Sequence, residues 1–251
     1  MQMSTTAAIV TGGASGLGEA TARHFAAQGA KVTLLDRDTE RGKAVAAEIG
    51  GHFVETDVTD EASVEAAIAQ AQELMGALNV AVNCAGIALG IKTTGRDGPH
   101  PLSAFQKTID INLTGSFNIA RLAATAMAKN EPEADGARGV IINTASIAAF
   151  DGQKGQVAYA ASKGGIVGMT LPMARDLAQS GIRVMTIAPG IFGTPMLKGL
   201  PQEVQDSLAA EVPNPARLGD PNEYARMAAF IVEMGYLNGE VIRLDGALRM
   251  R

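Results

Sequence analysis

Short runs of mostly β-branched residues recur along the chain. Each is followed by a longer stretch in which small and apolar residues return every three or four positions. The runs Ala7–Thr11, Lys31–Asp36, His52–Thr56, Leu78–Asn83, Gly139–Ala145, Ile182–Ala188 and Glu240–Leu244 read as strands. The stretches Gly16–Gln28, Asp38–Ile49, Glu61–Met75, Phe105–Ala128, Val157–Gln179, Gln202–Ala209 and Pro221–Met234 read as helices. Strands such as VTLLD and GVIINT are apolar without alternation, as strands covered on both faces are. Parallel neighbours need crossovers, so this alternation predicts an α/β domain with a doubly wound, seven-stranded parallel sheet and helices on both faces. Pro172 falls inside a predicted helix and should kink or irregularly wind it. Ala88–Leu102 and Lys129–Gly139 read as surface insertions, and no linker or repeat divides the chain, so one domain is expected over residues 1–251.

The turn after the first strand is TGGASGLG, Thr11 to Gly18. Small residues between a strand and a helix let backbone N–H groups approach a pyrophosphate at the helix N-terminus. Gly12, Ser15, Gly16, Leu17 and Gly18 are the expected contacts. The second strand then ends in Asp36, where a carboxylate can accept from both adenosine ribose hydroxyls and would repel a 2′-phosphate. Strand, turn, helix, strand and acid together make a Rossmann-type dinucleotide site. Asp36 also suits the N-cap of the next helix, and Arg37 could accommodate a 2′-phosphate. The turn itself carries no Lys or Arg, which favours NAD over NADP.

The glycine spacing TGxxxGxG, with NCAG at 83–86 and YxxxK at 159–163, resembles the short-chain dehydrogenase/reductase family over the full length of the chain. The resemblance implies adenine contacts at Asp57 and Val58 and a cofactor-lining turn of Asn83, Cys84, Ala85 and Gly86, where Cys84 replaces a second Asn. It also implies cofactor contacts from Tyr159, Lys163, Pro189, Gly190, Phe192 and Thr194. Phe192 suits ordinary packing under a loop equally well. Phe192–Ala210 combines Gly and Pro hinges with a short amphipathic stretch and reads as a substrate lid.

Asn112, Ser146, Tyr159 and Lys163 match the catalytic tetrad of that family in identity, order and spacing. The i,i+4 spacing puts Tyr159 and Lys163 on one helical face. A secondary alcohol gives up hydride only as its hydroxyl proton leaves. Tyrosine's usual pKa of ~10 is too high for that base at neutral pH, and an ammonium beside it, together with the positive nicotinamide ring, would lower the value. Tyr159 is thus the expected general acid/base, and Ser146 the group that holds the reacting oxygen. Lys163 would also bind the nicotinamide ribose, and Asn112 would hold a water linking the lysine to solvent.

AVNCAGIA, RGVIINTAS, ASKGGIVGMTLPMARDLA and LNGEVIRLDGALRM resemble the type II 3-hydroxyacyl-CoA dehydrogenase branch more specifically. The implied reaction is NAD-dependent interconversion of (S)-3-hydroxyacyl-CoA and 3-oxoacyl-CoA, with branched acyl chains, steroids and other secondary alcohols also within the branch's range. A 3-oxoacyl-[acyl-carrier-protein] reductase is the alternative, and Asp36 speaks against its usual NADPH. A dinucleotide-binding scaffold without catalysis is the third reading, which the complete tetrad disfavours. The family also implies a homotetramer with 222 symmetry.

Composition narrows the field. Lys and Arg number 21 against 26 Asp and Glu, giving a net charge of −5, and there is no Trp, so nucleic acid is a poor partner. One cysteine and three scattered histidines fit a reducing compartment and no zinc site. No apolar run approaches membrane-spanning length, and the first strand begins too early for a leader. The expectation is a soluble, cytoplasmic protein.

Overall fold

Seven strands form one parallel sheet in a computed structural model that describes residues 1–96, 98–199 and 201–250. They are β1 (Ala7–Thr11), β2 (Lys31–Asp36), β3 (His52–Glu55), β4 (Val80–Asn83), β5 (Gly139–Thr144), β6 (Ile182–Pro189) and β7 (Val241–Leu244). Their order is β3-β2-β1-β4-β5-β6-β7, so the winding direction reverses between β1 and β4. This is the doubly wound, Rossmann-type arrangement expected from the alternating pattern. Open sheets of this kind place a crevice beyond the strand C-termini at the reversal.

The helices are α1 (Gly16–Ala27), α2 (Thr39–Ile49), α3 (Glu61–Met75), α4 (Leu102–Ile109), α5 (Gly115–Met127), α6 (Ala148–Asp151), α7 (Val157–Asp176), α8 (Pro195–Lys198), α9 (Gln202–Ala210) and α10 (Pro221–Glu233). Successive strand residues point to opposite faces, which divides the core in two. Ile9, Ala81, Ile141 and Val184 pack towards α3, α5 and α7. Val10, Val82, Ile142 and Met185 pack with Phe25, Val45, Ala228 and Ile231 of α1, α2 and α10. No helix among the described residues is long and apolar enough to cross a membrane.

One expectation needs correction. The predicted helix Phe105–Ala128 is interrupted by a π-helical turn at Asp110–Thr114, which separates α4 from α5. α7 continues as α-helix through Pro172. Pro172 lies on the exposed face, and Gly168, whose carbonyl loses its N–H partner, is exposed as well, so water can take the lost bond. The first insertion forms a small antiparallel pair, Thr94–Gly95 with Gly98–Pro99, in which Asp97 is outside the described residues.

Candidate active site

The turn between β1 and α1 lies at the sheet's reversal point. The side chains of Asp38, Asp60 and Asp220 cap α2, α3 and α10, whereas Ser15, at the start of α1, makes no side-chain cap bond. Its first-turn donors therefore remain available, and Gly12 and Ser15 through Gly18 all line the cleft. The glycines are required sterically: a Cβ on Gly18 would strike the Gly12 carbonyl, and one on Gly12 would sit 2.9 Å from the Ala85 nitrogen. Gly12 also has φ +64°.

Asp36 closes the other side of this turn. One carboxylate oxygen accepts from Ala14 N–H at 3.0 Å and the other from Asp38 N–H at 3.0 Å. The N-cap of α2 is Asp38, so the capping role considered for Asp36 falls to its neighbour. Arg37 is exposed, with its guanidinium 3.7 Å from the Asp57 carboxylate. Hydrogen bonds from Thr59 hold the Asp57 carboxyl below its usual pKa, assisted by Arg37. Asp57 and Val58 line the same end of the cleft.

The NCAG turn is fastened to β1 by Thr11, whose hydroxyl accepts from both Cys84 and Ala85 N–H at 3.1 Å. Cys84, Ala85 and Gly86 line the cleft, but Asn83 does not. Its side chain is buried and donates to the Asn143 amide oxygen at 2.9 Å and the Ser116 carbonyl at 3.2 Å. Asn83 is thus a cross-strand tie in the sheet and not a wall of the cavity. The cause is register: Asn83 faces Asn143 directly across β4 and β5.

Asn112, fully buried in the π-helical turn, grips Ile87 at both backbone atoms. It accepts from Ile87 N–H at 2.8 Å and donates to the Ile87 carbonyl at 2.9 Å and to the Ser162 hydroxyl at 3.1 Å. Asn112 and Lys163 converge on Gly86, where a Cβ would lie 3.2 Å from Asn112 Oδ1 and 3.7 Å from Lys163 Nζ.

Ser146 follows β5 directly, and α7 brings Tyr159 and Lys163 opposite it. The Ser146 hydroxyl is hydrogen-bonded to the Tyr159 phenol. Lys163 is buried, with Nζ 5.8 Å from the centre of the Tyr159 ring and donating to the Thr144 carbonyl at 2.7 Å. Behind this carbonyl the Thr144 hydroxyl pairs with the buried Tyr224 hydroxyl at 2.6 Å, and Cys84 Sγ is 3.7 Å from each. Burial pushes the Cys84 thiol up in pKa despite these contacts.

Burial governs the two titrating groups when no nucleotide is bound. Desolvation raises the Tyr159 pKa, and the Ser146 bond offsets only part of the rise. Burial also lowers Lys163 to about 8, which leaves it mostly ammonium at neutral pH beside the phenol.

Pro189, Gly190, Phe192 and Thr194 line the cleft after β6. Phe192 also packs against Gly219, where a Cβ would lie 2.8 Å from its ring, so lining and packing coexist. From the expected lid, Phe192, Thr194 and Pro195 reach the cleft; Leu200 is outside the described residues. Leu35, Thr56, Ile87, Ile111 and Thr144 also line it, unanticipated from sequence because no motif marks them. Their common signal is position at or just beyond a strand end, or in the π-helical turn.

The cleft holds about 470 Å³, within the ~300–1,000 Å³ of small-molecule sites. It runs from the carboxylates of Asp36 and Asp57, past the uncapped helix start, to Ser146 and Tyr159. A long ligand with an anionic middle fits this sequence of groups, because the uncapped start of α1 lies between its two ends. Fold and cleft therefore define a dinucleotide-dependent oxidoreductase. The family model described as short chain dehydrogenase matches residues 6–205, and the chain belongs to that family. It is 57% identical over 248 residues to the human 3-hydroxyacyl-CoA dehydrogenase type-2, covering 97% of this chain and 95% of that protein. It is 33% identical over 258 residues to the 3-oxoacyl-[acyl-carrier-protein] reductase FabG of Thermotoga maritima, covering 99% of both. The crystal structure of 3-hydroxyacyl-CoA dehydrogenase type-2 from Mycobacterium avium superposes with a TM-score of 0.94 at 48% identity, covering 98% of this chain and 96% of that one.

Proposed function

We propose that this protein is an NAD-dependent dehydrogenase interconverting (S)-3-hydroxyacyl-CoA and 3-oxoacyl-CoA thioesters. The observation that carries the chemistry is the Ser146–Tyr159 hydrogen bond in the cleft, with the buried Lys163 beneath it. The substrate class rests on the 57% identity to the human 3-hydroxyacyl-CoA dehydrogenase type-2.

Bound NAD would supply a hydride acceptor at nicotinamide C4 and a positive ring beside the alcohol. Ser146 would hold the substrate oxygen by hydrogen bond and orient it towards Tyr159. In the oxidative direction Tyr159, as phenolate, would take the hydroxyl proton; in reduction, as phenol, it would return one to the carbonyl oxygen. Lys163 would favour the phenolate and donate to the nicotinamide ribose, held meanwhile by the Thr144 carbonyl. Asn112 would fix the backbone through which a water reaches the lysine. Gly12 and Ser15 through Gly18 would cradle the pyrophosphate, Asp36 would accept from the adenosine ribose, and Asp57 and Val58 would border the adenine.

Asp36 supports NAD over NADP, since a 2′-phosphate would meet a carboxylate. The same preference, with the 33% against 57% identity, ranks the acyl-carrier-protein reductase second. Half-exposed Phe117 on α5 and Val157 and Leu171 on α7 support a homotetramer. A cytoplasmic setting is supported by the single cysteine. Steady-state kcat/KM for acetoacetyl-CoA, longer 3-oxoacyl-CoAs, a hydroxysteroid and an acyl-carrier-protein thioester, each with both nicotinamide cofactors, tests the reading. A preference for the carrier-protein thioester with NADPH would overturn it.

A further inference from the structure

The geometry points to Arg41, outside every motif of the cofactor site, as the residue that positions the phosphate-binding turn. This rests on the cleft binding a dinucleotide at that turn. Arg41 stands in the first turn of α2, where its backbone N–H is fixed by the Asp38 carboxylate at 3.0 Å. Its side chain folds back over the loop between β1 and α1: Nε donates to the Ala14 carbonyl at 3.0 Å and Nη2 to Glu19 at 2.9 Å. The other oxygen of Glu19 accepts from Arg23 Nε at 2.9 Å, and Arg23 reaches Glu48 at 2.6 Å.

Ala14 is therefore gripped on both sides, its N–H by Asp36 and its carbonyl by Arg41. A peptide group is planar, so the Ala14 carbonyl and the Ser15 N–H form one rigid unit pointing in opposite directions. The pull of Arg41 on that carbonyl turns the Ser15 N–H back onto the Gly12 carbonyl, at 3.5 Å, and so closes the turn just ahead of the uncapped helix start that lines the cleft. Asp36 fixes the preceding peptide plane in the same way. Glu19 keeps the guanidinium in place, and the Arg23–Glu48 pair keeps Glu19 in place. A planar fork that donates in two fixed directions suits this task, which a lysine point charge performs poorly.

A second way for Arg41 to matter is simple attraction of its charge for phosphate. The two differ in sign at Glu19. Removing that carboxylate makes the surroundings more positive, which would tighten binding by attraction alone, but it frees Arg41, which would weaken binding by loss of positioning.

The test measures NADH binding by its own fluorescence, with ADP-ribose and adenosine as competitors, on the full chain and on the Arg41→Met, Arg41→Lys and Glu19→Ala variants. Arg41→Met should raise the Kd for NADH and for ADP-ribose about tenfold, while the adenosine Kd changes less than twofold. KM for NAD should rise in step while kcat falls less than twofold. Arg41→Lys should recover only a minor part, and Glu19→Ala should weaken NADH severalfold. Unchanged NADH binding in Arg41→Met, equal loss for adenosine, full recovery with lysine, or tighter binding in Glu19→Ala would each overturn the positioning role. Failure of the unmodified chain to bind NADH would instead overturn the dinucleotide reading on which it rests.

Discussion

Lys163 Nζ donates to the Thr144 carbonyl at 2.7 Å, joining the catalytic face of α7 to the end of β5. That bond holds a charge in a place poor in water. Burial lowers the lysine from 10.5 to about 8, so between these values the unfolded chain binds more protons than the folded one. Stability from this group therefore rises as pH rises from about 8 to about 10.5 and is lowest below 8. Lys163→Met keeps the stem and removes the charge. It should stabilise the fold by about 2 kcal/mol at neutral pH, the relief of burial less one hydrogen bond, with the gain fading towards pH 10.5. Urea melts at neutral and alkaline pH check this. Turnover should be lost in the same variant, and a destabilised Lys163→Met at pH 7 would contradict the account.

Tyr159→Phe removes one oxygen and leaves the ring. We expect kcat to fall at least ~100-fold, as for loss of a general acid/base, with the NADH Kd within about threefold of the parent because Lys163 keeps the proposed ribose contacts. Ultraviolet difference titration of parent against variant, without nucleotide, should place the phenol ionisation above 10, the ordinary value from which burial raises it. Retention of a substantial share of kcat would move the proton to another group.

Asp36→Ala should narrow the preference for NAD over NADP. The variant also loses the acceptor for Ala14 N–H, so its affinity for NAD should drop as well. Comparing kcat/KM for both cofactors in parent and variant is sufficient, and equal values in the parent would return the weight to Arg37.

Asn112→Ala removes three hydrogen bonds, two of them to the part-buried backbone of Ile87. At ~1 kcal/mol each, the fold should lose about 2–3 kcal/mol, and proton delivery should slow without loss of the base. Denaturant melts alongside the pH dependence of kcat separate the two effects. Unchanged stability would mean that Ile87 finds other partners.

Light scattering at micromolar concentration should give the mass of four chains. Replacing Phe117 and Leu171 with Glu, on the exposed sides of α5 and α7, should lower that mass. A monomeric parent would remove the symmetry proposal.

Strands and turn were legible in the sequence because both depend on short-range chemistry. β-branched runs mark strands buried on both faces, and only small residues fit between β1 and α1. Asp36 and the Ser146, Tyr159 and Lys163 set were legible from spacing within one framework. Three features were not. The tie of Asn83 to Asn143 depends on register between strands 60 positions apart. The raised phenol and lowered ammonium depend on how much protein covers them, which no motif encodes. The fit of Pro172 depends on Gly168 facing outwards, a matter of which side of α7 meets solvent.

The π-helical turn at Asp110–Thr114 was invisible as well, because each half of Phe105–Ala128 carries a helical pattern of its own. A π-turn takes up one residue more than an α-turn, so every residue after it sits roughly 100° behind where an unbroken α-helix would place it. The apolar stripe of α5, with Ile119, Ala123 and Met127 against the sheet, is therefore out of phase with α4. Wound as an unbroken α-helix, the same residues would turn that stripe roughly 100° away from the core, whereas removing one residue from the turn would give a regular helix with the stripe still facing inwards. The extra residue acts as an angular offset written into the chain, and helical periodicity carried across it without that offset would misassign the inward face of every residue from Gly115 to Met127.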